Sequence, residues 1–128
     1  MINELLTLAK LENMIIRFDE MEASVLPAFK GGEKELVAKM FFDGTNRIFR
    51  GTLVPGASIG MHTHEGSCEV IFILRGNGTL IEQAPSEASP ESRSVTAGDC
   101  LYCPEGHAHS LMNTSEEDLE FHAVVAKQ

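Results

Sequence analysis

Apolar and polar residues alternate in short runs along most of the chain, a pattern typical of strands that bury one face. The clearest runs are residues 35–42 and 47–54, which are joined by the hairpin-forming sequence Asp43-Gly44-Thr45-Asn46. A third run, residues 70–74, is rich in β-branched and aromatic side chains. Further short strands are predicted at residues 14–18, 79–82, 93–96 and 119–126, and on both sides of the Pro104-Glu105-Gly106 turn. Eight or nine short strands separated by turns predict an all-β barrel or sandwich.

The N-terminal quarter of the chain has a different pattern. Three leucines at near-helical spacing within residues 4–11 predict a short helix. Residues 19–32, which contain Pro27 and two consecutive glycines, are predicted to form an irregular connector that could hold a short helical turn. With 128 residues, the chain is expected to form a single domain, 1–128, with a core barrel over about 35–126 and an N-terminal arm over 1–34.

The charge balance disfavours two classes of partner. Asp and Glu number 19 against 10 Lys and Arg, which gives a formal net charge of −9. Such a surface repels nucleic acid and anionic membranes, although solubility alone would also account for it. No apolar run approaches the roughly 18 residues of a membrane-spanning helix, and the first residues do not resemble a signal peptide. A cytoplasmic protein is therefore expected.

The three cysteines do not predict a disulfide framework, because their number is odd. Cys100 and Cys103 are three residues apart on a predicted strand, so their side chains should face opposite sides. The presence of all three cysteines is explained if they are buried as small apolar side chains. Cys68, or whichever of the other two points inward, could also line a pocket.

Two histidines two residues apart, His62 and His64, are the first sign of a metal site. Side chains at i and i+2 on a strand share one face, at a spacing of about 6.6 Å that lets both imidazoles reach one ion. The turn residues Glu65-Gly66-Ser67 should reverse the chain and bring Glu69 back on a neighbouring antiparallel strand. The Glu69 carboxylate would then face the imidazoles across the ladder. The residues 75–78, Arg-Gly-Asn-Gly, predict another hairpin turn.

A second stretch, residues 98–113, could complete this site. It begins with a turn at Gly98, continues through a short apolar strand and turns again at Pro104-Glu105-Gly106. His109 then lies early in the next strand, where it could supply a fourth ligand.

Together these two stretches resemble the two sequence motifs of the cupin superfamily. The first motif is matched by Gly56, His62, His64, Glu69 and Gly76. The second is matched by Gly98, Pro104, Gly106, His109 and Asn113. The resemblance covers residues 56–113 and implies a small antiparallel β-barrel of jelly-roll type, with a divalent metal held by His62, His64, Glu69 and His109. It implies no reaction, because cupins include dioxygenases, isomerases, epimerases, lyases, storage proteins and sugar-binding regulators.

The donor set restricts the choice of metal. Three imidazoles and one carboxylate suit Mn, Fe, Ni, Cu or Zn, whereas Ca and Mg prefer oxygen ligands. If the ion is octahedral, four protein ligands leave two positions for a substrate, or for a substrate and O₂. The sequence does not choose among the five metals.

Three residues are candidates for a catalytic role. His107 could be a proton-transfer group at the pocket rim, or simply a surface histidine. Tyr102, the one tyrosine of the chain, could donate a hydrogen bond to a substrate. If Phe49 faces the barrel interior, Arg47 on the same strand face could bind an anionic substrate; otherwise it is a surface arginine at a dimer contact. His122, in the last strand, is interpreted as a packed or exposed residue.

We expect a metal-dependent enzyme that acts on a small molecule in the barrel pocket. Its reaction would be that of an oxygenase, or that of an isomerase or lyase. The alternative is a non-catalytic module that binds a small molecule or a metal. No nucleic acid or membrane partner is expected. Small cupins commonly pair through their sheets, and by that analogy a homodimer is expected.

Overall fold

The computed structural model describes residues 14–128, which form ten strands in two antiparallel sheets. The strands of the larger sheet are β1 Ser24–Pro27, β2 Glu35–Phe42, β3 Arg47–Leu53, β5 Ser67–Arg75, β8 Cys100–Cys103 and β10 Leu119–Lys127. Those of the smaller sheet are β4 Ser58–Thr63, β6 Asn77–Gln83, β7 Glu91–Thr96 and β9 Ala108–Met112. The spatial orders are β1-β2-β3-β10-β5-β8 and β4-β9-β6-β7.

The core lies between the inner faces of these two sheets. Alternate residues of β2 are buried, namely Leu36, Ala38 and Met40, whereas the residues between them are less buried. On the neighbouring strands, the rings of Phe49 and Phe121 meet edge to face with their centroids 5.9 Å apart. The smaller sheet contributes four buried apolar residues, Ile59, Leu80, Val95 and Leu111. The period-2 pattern of the sequence therefore corresponds to a real division between a buried and a solvent-facing side of each sheet.

The predicted fold class, all-β of jelly-roll type, is confirmed. Among the described residues the two sheets face each other as a sandwich and are not joined into one continuous hydrogen-bonded ladder. Within the same part of the chain, no helix is long and apolar enough to cross a bilayer.

The hairpin between β2 and β3 is confirmed, and β2 has the predicted bounds. The Asp43 carboxylate accepts hydrogen bonds from the backbone N–H groups of Thr45 and Asn46, at 2.8 and 2.7 Å. Both hydrogen bonds lower the pKa of Asp43, and the bond from Asn46 has the larger effect. A charged oxygen thus closes the turn.

Two other predicted hairpins are wrong. The turn after His64 leads from β4 in the smaller sheet to β5 in the larger sheet, and the turn at Gly76 leads back from β5 to β6. Consecutive strands here lie in opposite sheets, so Glu69 does not pair with the histidine strand. Turn residues indicate that the chain reverses, but they do not indicate whether the next strand joins the same sheet.

The N-terminal arm differs from its prediction in two respects. Residues 14–18 do not form a strand; Phe18–Glu20 form a 3-10 turn, and the Phe18 ring lies 5.2 Å from that of His122. The strand of this region is β1, within the predicted connector, and it pairs with β2. Pro27 is tolerated there because β1 is an edge strand. The predicted helix over 4–11 lies outside the described residues.

Candidate metal centre

Four predicted ligand residues come together between the sheets. His62, on β4, is the direct cross-strand partner of His109 on β9. His64 follows the last residue of β4, and Glu69 projects from β5 in the opposite sheet. Their four ligand atoms all lie within 4.8 Å of one another. We call His62, His64, Glu69 and His109 the cluster.

A local irregularity of β4 positions His62. The pairing of β4 with β9 shifts register between Ile59 and His62, which places Gly60 in a bulge. A Cβ atom on Gly60 would overlap the carbonyl oxygen of Lys30, so only glycine allows residues 28–32 to lie against the strand. The Gly60 carbonyl in turn accepts a hydrogen bond of 2.7 Å from Nδ1 of His62. A neutral ring that donates through Nδ1 keeps a lone pair on Nε2 for a metal.

Three atoms of the cluster are mutually close. Nε2 of His64 lies 2.9 Å from Oε1 of Glu69 and 3.0 Å from Nε2 of His109, which is itself 2.9 Å from the same Glu69 oxygen. The centroids of the three imidazole rings are 4.8 to 4.9 Å apart. Two adjacent ligands at about 2.1 Å from an octahedral ion are about 3.0 Å apart, whereas tetrahedral ligands are about 3.4 Å apart. The observed spacing therefore fits one face of an octahedron.

The electrostatics of the cluster also suit a cation. Burial, more than any other cause, lowers the pKa of His62 from 6.5 to about 4, so this imidazole is neutral at neutral pH. Burial alone would raise the pKa of Glu69, but hydrogen bonds from His109 and His64 outweigh it and lower the pKa to about 2. A neutral imidazole and an ionised carboxylate are the protonation states that metal binding requires.

The loops of the two motifs are bound to each other beside His64. The backbone N–H of His64 donates to the carbonyl of His107 at 3.0 Å, and the N–H of Gly106 donates to the carbonyl of His64 at 2.7 Å. The carboxylate of Glu105 accepts a 2.9 Å hydrogen bond from the N–H of Gly66. These bonds fix the backbone on both sides of His64, and the Ser67 hydroxyl lies 3.1 Å from Nδ1 of its ring.

Asn113, the last residue of the second motif, has a structural role. Its side chain is 1% exposed, and its amide nitrogen donates 2.7 Å hydrogen bonds to the carbonyls of Leu53 and Glu117. Its amide oxygen accepts from the N–H and the hydroxyl of Ser115. This side chain connects β3 with the loop before β10 and does not approach the cluster.

A cavity of about 570 Å³ lies beside the cluster. His62, His64 and Glu69 form part of its wall, and an apolar set forms another part: Phe29, Met40, Phe49, Ile59 and Val125. Phe49 faces inward, which was the condition for Arg47 to reach the pocket. Arg47 lines the same cavity. Ile71 and Phe121 are buried in the core and do not line this cavity.

One wall of this cavity was not predicted from the sequence. It is formed by Phe29 and Lys30, from the segment that was predicted as an irregular connector. Lys30 has the left-handed backbone conformation, with φ of 54°, and so does Ala28, with φ of 48°. The consecutive glycines after Lys30 were the signal available, since Gly32 packs so closely on β4 that a Cβ would overlap the Ser58 carbonyl.

Tyr102 and His107 do not line this cavity. Both border a separate hollow of about 20 Å³ between β8 and β9, and Tyr102 is 61% exposed. His109 lines the same hollow, and the catalytic roles suggested for Tyr102 and His107 stay predictions. His122 packs on Phe18 and accepts a 3.1 Å hydrogen bond from Arg50, in agreement with a packed histidine.

The cysteines of β8 face opposite sides, as predicted. Cys100 is exposed, whereas Cys103 and Cys68 are buried, and all three are free thiols. Burial, with a smaller contribution from the charge of Glu69, raises the pKa of Cys103 to about 11. None of the three lines the cavity beside the cluster.

Comparison with known proteins identifies similar chains. A family model for the cupin domain matches residues 49–125, which include all four residues of the cluster. An oxalate-binding protein of Thermotoga maritima is 33% identical over 118 residues, which are 88% of this chain and 93% of that protein. The auxin-binding protein ABP19a of Prunus persica is 31% identical over 98 residues, 73% of this chain but 42% of that protein.

A similar solved structure is that of a predicted oxalate decarboxylase from Thermotoga maritima. It superimposes with a TM-score of 0.80 and 30% sequence identity, and the match covers 90% of this chain and all of that one. The likeness therefore extends over most of the chain.

Proposed function

Because this chain belongs to the cupin family, we propose that the cluster holds one divalent transition-metal ion and that a small carboxylate-bearing molecule binds at this ion. The observation that carries the proposal is the mutual spacing of 2.9 to 3.0 Å among the ligand atoms of His64, Glu69 and His109. Without a cation, the rings of His64 and His109 each share an Nε2 proton with the same Glu69 oxygen, and a metal ion would replace both protons. One metal ion satisfies all three ligand atoms.

The chemistry of the donors supports Mn, Fe, Ni, Cu or Zn. Three imidazole nitrogens and one carboxylate oxygen favour these ions over Ca²⁺ and Mg²⁺, which prefer oxygen. Such an ion supplies a Lewis acid that polarises a bound carboxylate or carbonyl. The protein holds the imidazoles in place through Gly60 and Ser67, whose oxygens are hydrogen-bonded to the rings of His62 and His64.

Two observations support a carboxylate as the ligand. The positively charged side chains Lys30 and Arg47 line the cavity beside the cluster, and guanidinium groups bind carboxylates bidentately. In addition, relatives that match most of this chain are described as an oxalate-binding protein and a predicted oxalate decarboxylase. Oxalate is therefore the first ligand to test.

The catalytic form of this proposal is a metal-dependent oxygenase, isomerase or lyase. The cavity of about 570 Å³ beside the cluster is large enough for a small molecule to react there. The second candidate is a binding module without catalysis, which is favoured by the name of the oxalate-binding relative. Oxygen consumption and product analysis with Mn-loaded and Fe(II)-loaded protein separate these candidates, because a binding module leaves ligand and O₂ unchanged.

We further propose a cytoplasmic homodimer with no nucleic acid or membrane partner. The net charge of −9 supports the exclusion of polyanions. Phe72, Leu74 and Tyr102 are 46%, 43% and 61% exposed on the larger sheet, and an apolar sheet face is typical of a protein contact. Light scattering after size exclusion would detect the dimer, and a monomer at micromolar concentration would refute it.

The metal proposal is tested by measuring metal content in protein purified without a histidine tag. After incubation with Mn²⁺ and dialysis, wild-type protein should retain about one ion per chain, and the double variant H62A/H109A should retain none. The variant H107A is the matched control, since it removes a histidine outside the cluster, and it should retain the ion. Retention of one ion by the double variant would overturn the assignment.

A further inference from the structure

The smaller sheet carries a row of directly paired residues that begins at the cluster. His62 of β4 pairs with His109 of β9, His109 pairs with Glu82 of β6, and Glu82 pairs with Glu91 of β7. Directly opposed residues point to the same side of a sheet, with their Cβ atoms about 4.5–5.5 Å apart. Glu82 is therefore the neighbour of His109 on the side away from His62.

The three imidazoles of the cluster differ at their second ring nitrogen. Nδ1 of His62 lies 2.7 Å from the Gly60 carbonyl oxygen, and Nδ1 of His64 lies 3.1 Å from the Ser67 hydroxyl. His109 makes its hydrogen bonds through Nε2, inside the cluster, and within residues 14–128 its Nδ1 has no hydrogen-bond partner. A histidine that binds a metal almost always donates its other N–H group to a carboxylate, a carbonyl or a water molecule. His109 therefore needs a partner of a kind that the other two rings already have.

The space for that partner is the hollow between β8 and β9. His109 lines this hollow and does not line the larger cavity beside the cluster. In the part of the chain that the structure describes, every side-chain nitrogen or oxygen that is sealed from solvent has a hydrogen bond. Nδ1 of His109 has none, so it is accessible to water, and the hollow is the space that its ring borders.

The hollow is the right size for one water molecule. Its volume is about 20 Å³, whereas one water needs about 10–15 Å³ and two or more polar partners. Its lining includes the Glu82 side chain as well as the His109 ring. A substrate or a further side chain would not fit there.

The carboxylate of Glu82 is held beside this hollow. Its Oε1 accepts a 2.6 Å hydrogen bond from Nε of Arg93, which also donates through Nη2 to Glu91. Among the described residues its Oε2 has no hydrogen-bond partner. Burial is the main cause that raises the pKa of Cys103, and the charge of Glu82 adds to it. Because Cys103 lines the same hollow, this effect agrees with a carboxylate at the hollow.

We propose, on the basis of the metal-dependent function above, that Glu82 is a positioning residue for the metal ligand His109. One water molecule in the hollow accepts a hydrogen bond from the Nδ1–H group of His109 and donates one to the carboxylate of Glu82. This link keeps the lone pair of Nε2 directed at the ion and makes the ring a stronger donor. Arg93 fixes the carboxylate from the other side.

The first test is the affinity for Mn²⁺, measured by competition with a chelator. The variant E82M keeps the length of the side chain but removes its charge and its acceptor oxygens. It should bind Mn²⁺ about tenfold more weakly than wild type, at the lower end of the range for such partners of a metal ligand. E91M is the matched control, because it also removes a hydrogen bond to Arg93 but lies outside the hollow, and its affinity should equal that of wild type. The Glu82 side chain is 40% exposed, so E82M leaves the core unchanged.

The second test observes the ring N–H groups directly, by proton NMR of Co²⁺-loaded protein. The paramagnetic ion shifts the N–H signals of its imidazole ligands away from all other signals. Wild type and E91M should show three such signals in H₂O, and E82M should lose one of them to rapid exchange with solvent. A role of Glu82 in stability alone would not remove one signal selectively.

The inference is overturned if E82M binds Mn²⁺ as tightly as E91M does. It is also overturned if E82M binds more weakly but keeps all three N–H signals, because Glu82 would then act by a route other than His109. Both results leave the metal-centred function standing. If wild-type protein retains no ion, the inference and the proposed function fail together.

Discussion

Acid should destabilise the metal-free protein mainly through His62. Burial lowers the pKa of this ring to about 4 in the folded protein, against an ordinary value of 6.5. Between these two pH values the unfolded chain therefore binds one more proton than the folded chain. The sign follows from linkage: the free energy of unfolding is highest above pH 6.5 and decreases as the pH falls from 6.5 toward 4.

The size of this effect follows from the two pKa values. Integration of the proton difference from pH 7.5 to pH 5 gives a loss of about 2 kcal/mol for one such histidine. Glu69 contributes only about 0.2 kcal/mol in this interval, because its folded pKa is about 2 and its ordinary value 4.5, so most of its stabilising effect is lost at lower pH. The interval from 7.5 to 5 thus nearly excludes Glu69, and His122, whose pKa is also lowered by burial and by the charge of Arg50, contributes equally to wild type and to a His62 variant.

Urea unfolding of chelator-treated protein at pH 7.5 and pH 5 measures this loss. The variant H62Q cannot take up the proton and should lose about 2 kcal/mol less than wild type over the same interval. H107Q, which also removes one imidazole, should behave like wild type. If H62Q and wild type lose the same free energy, burial of His62 does not disfavour its charged form, and the reasoning is refuted.

Three further substitutions have expected outcomes. G60A places a Cβ against the Lys30 carbonyl, so it should lower the urea midpoint and weaken Mn²⁺ binding; unchanged binding would contradict the role of the bulge. N113A removes a buried amide with two donated hydrogen bonds and should cost about 2–4 kcal/mol in urea unfolding while metal content stays at one ion. R93A removes only exposed ion pairs with Glu82 and Glu91 and should leave the urea midpoint unchanged.

The sequence was most informative where a pattern has one physical cause. The alternation in residues 35–42 and the turn residues that follow predicted β2 and its hairpin correctly, because local chemistry determines both. The histidine and glutamate spacing likewise predicted which four side chains meet. A metal site imposes a joint condition on residue type and position that few other structures share.

The sequence was less informative about long-range pairing. It placed Glu69 across a ladder from the histidines, but the structure places it in the opposite sheet. Both arrangements bring the carboxylate to the same point, because the inner faces of the two sheets are packed against each other. Turn chemistry could not distinguish these arrangements, since the same residues serve a hairpin and a crossing between sheets.

The cavity wall from residues 28–32 was also beyond local reasoning. Lys30 has a backbone conformation that lysine rarely adopts alone, and it is stabilised by glycine contacts with β4, a strand that begins some 28 residues later. Such tertiary contacts override propensity. The two cations of the cavity, Lys30 and Arg47, come from segments whose sequences show no common motif.

The most direct test of the metal centre is a crystal structure of Mn-loaded protein with anomalous data collected on both sides of the manganese edge. We expect one strong anomalous peak per chain, within about 2.0–2.3 Å of one atom each of His62, His64, Glu69 and His109. A map with no peak among these four side chains after soaking in Mn²⁺, or with the ion bound elsewhere, would contradict it.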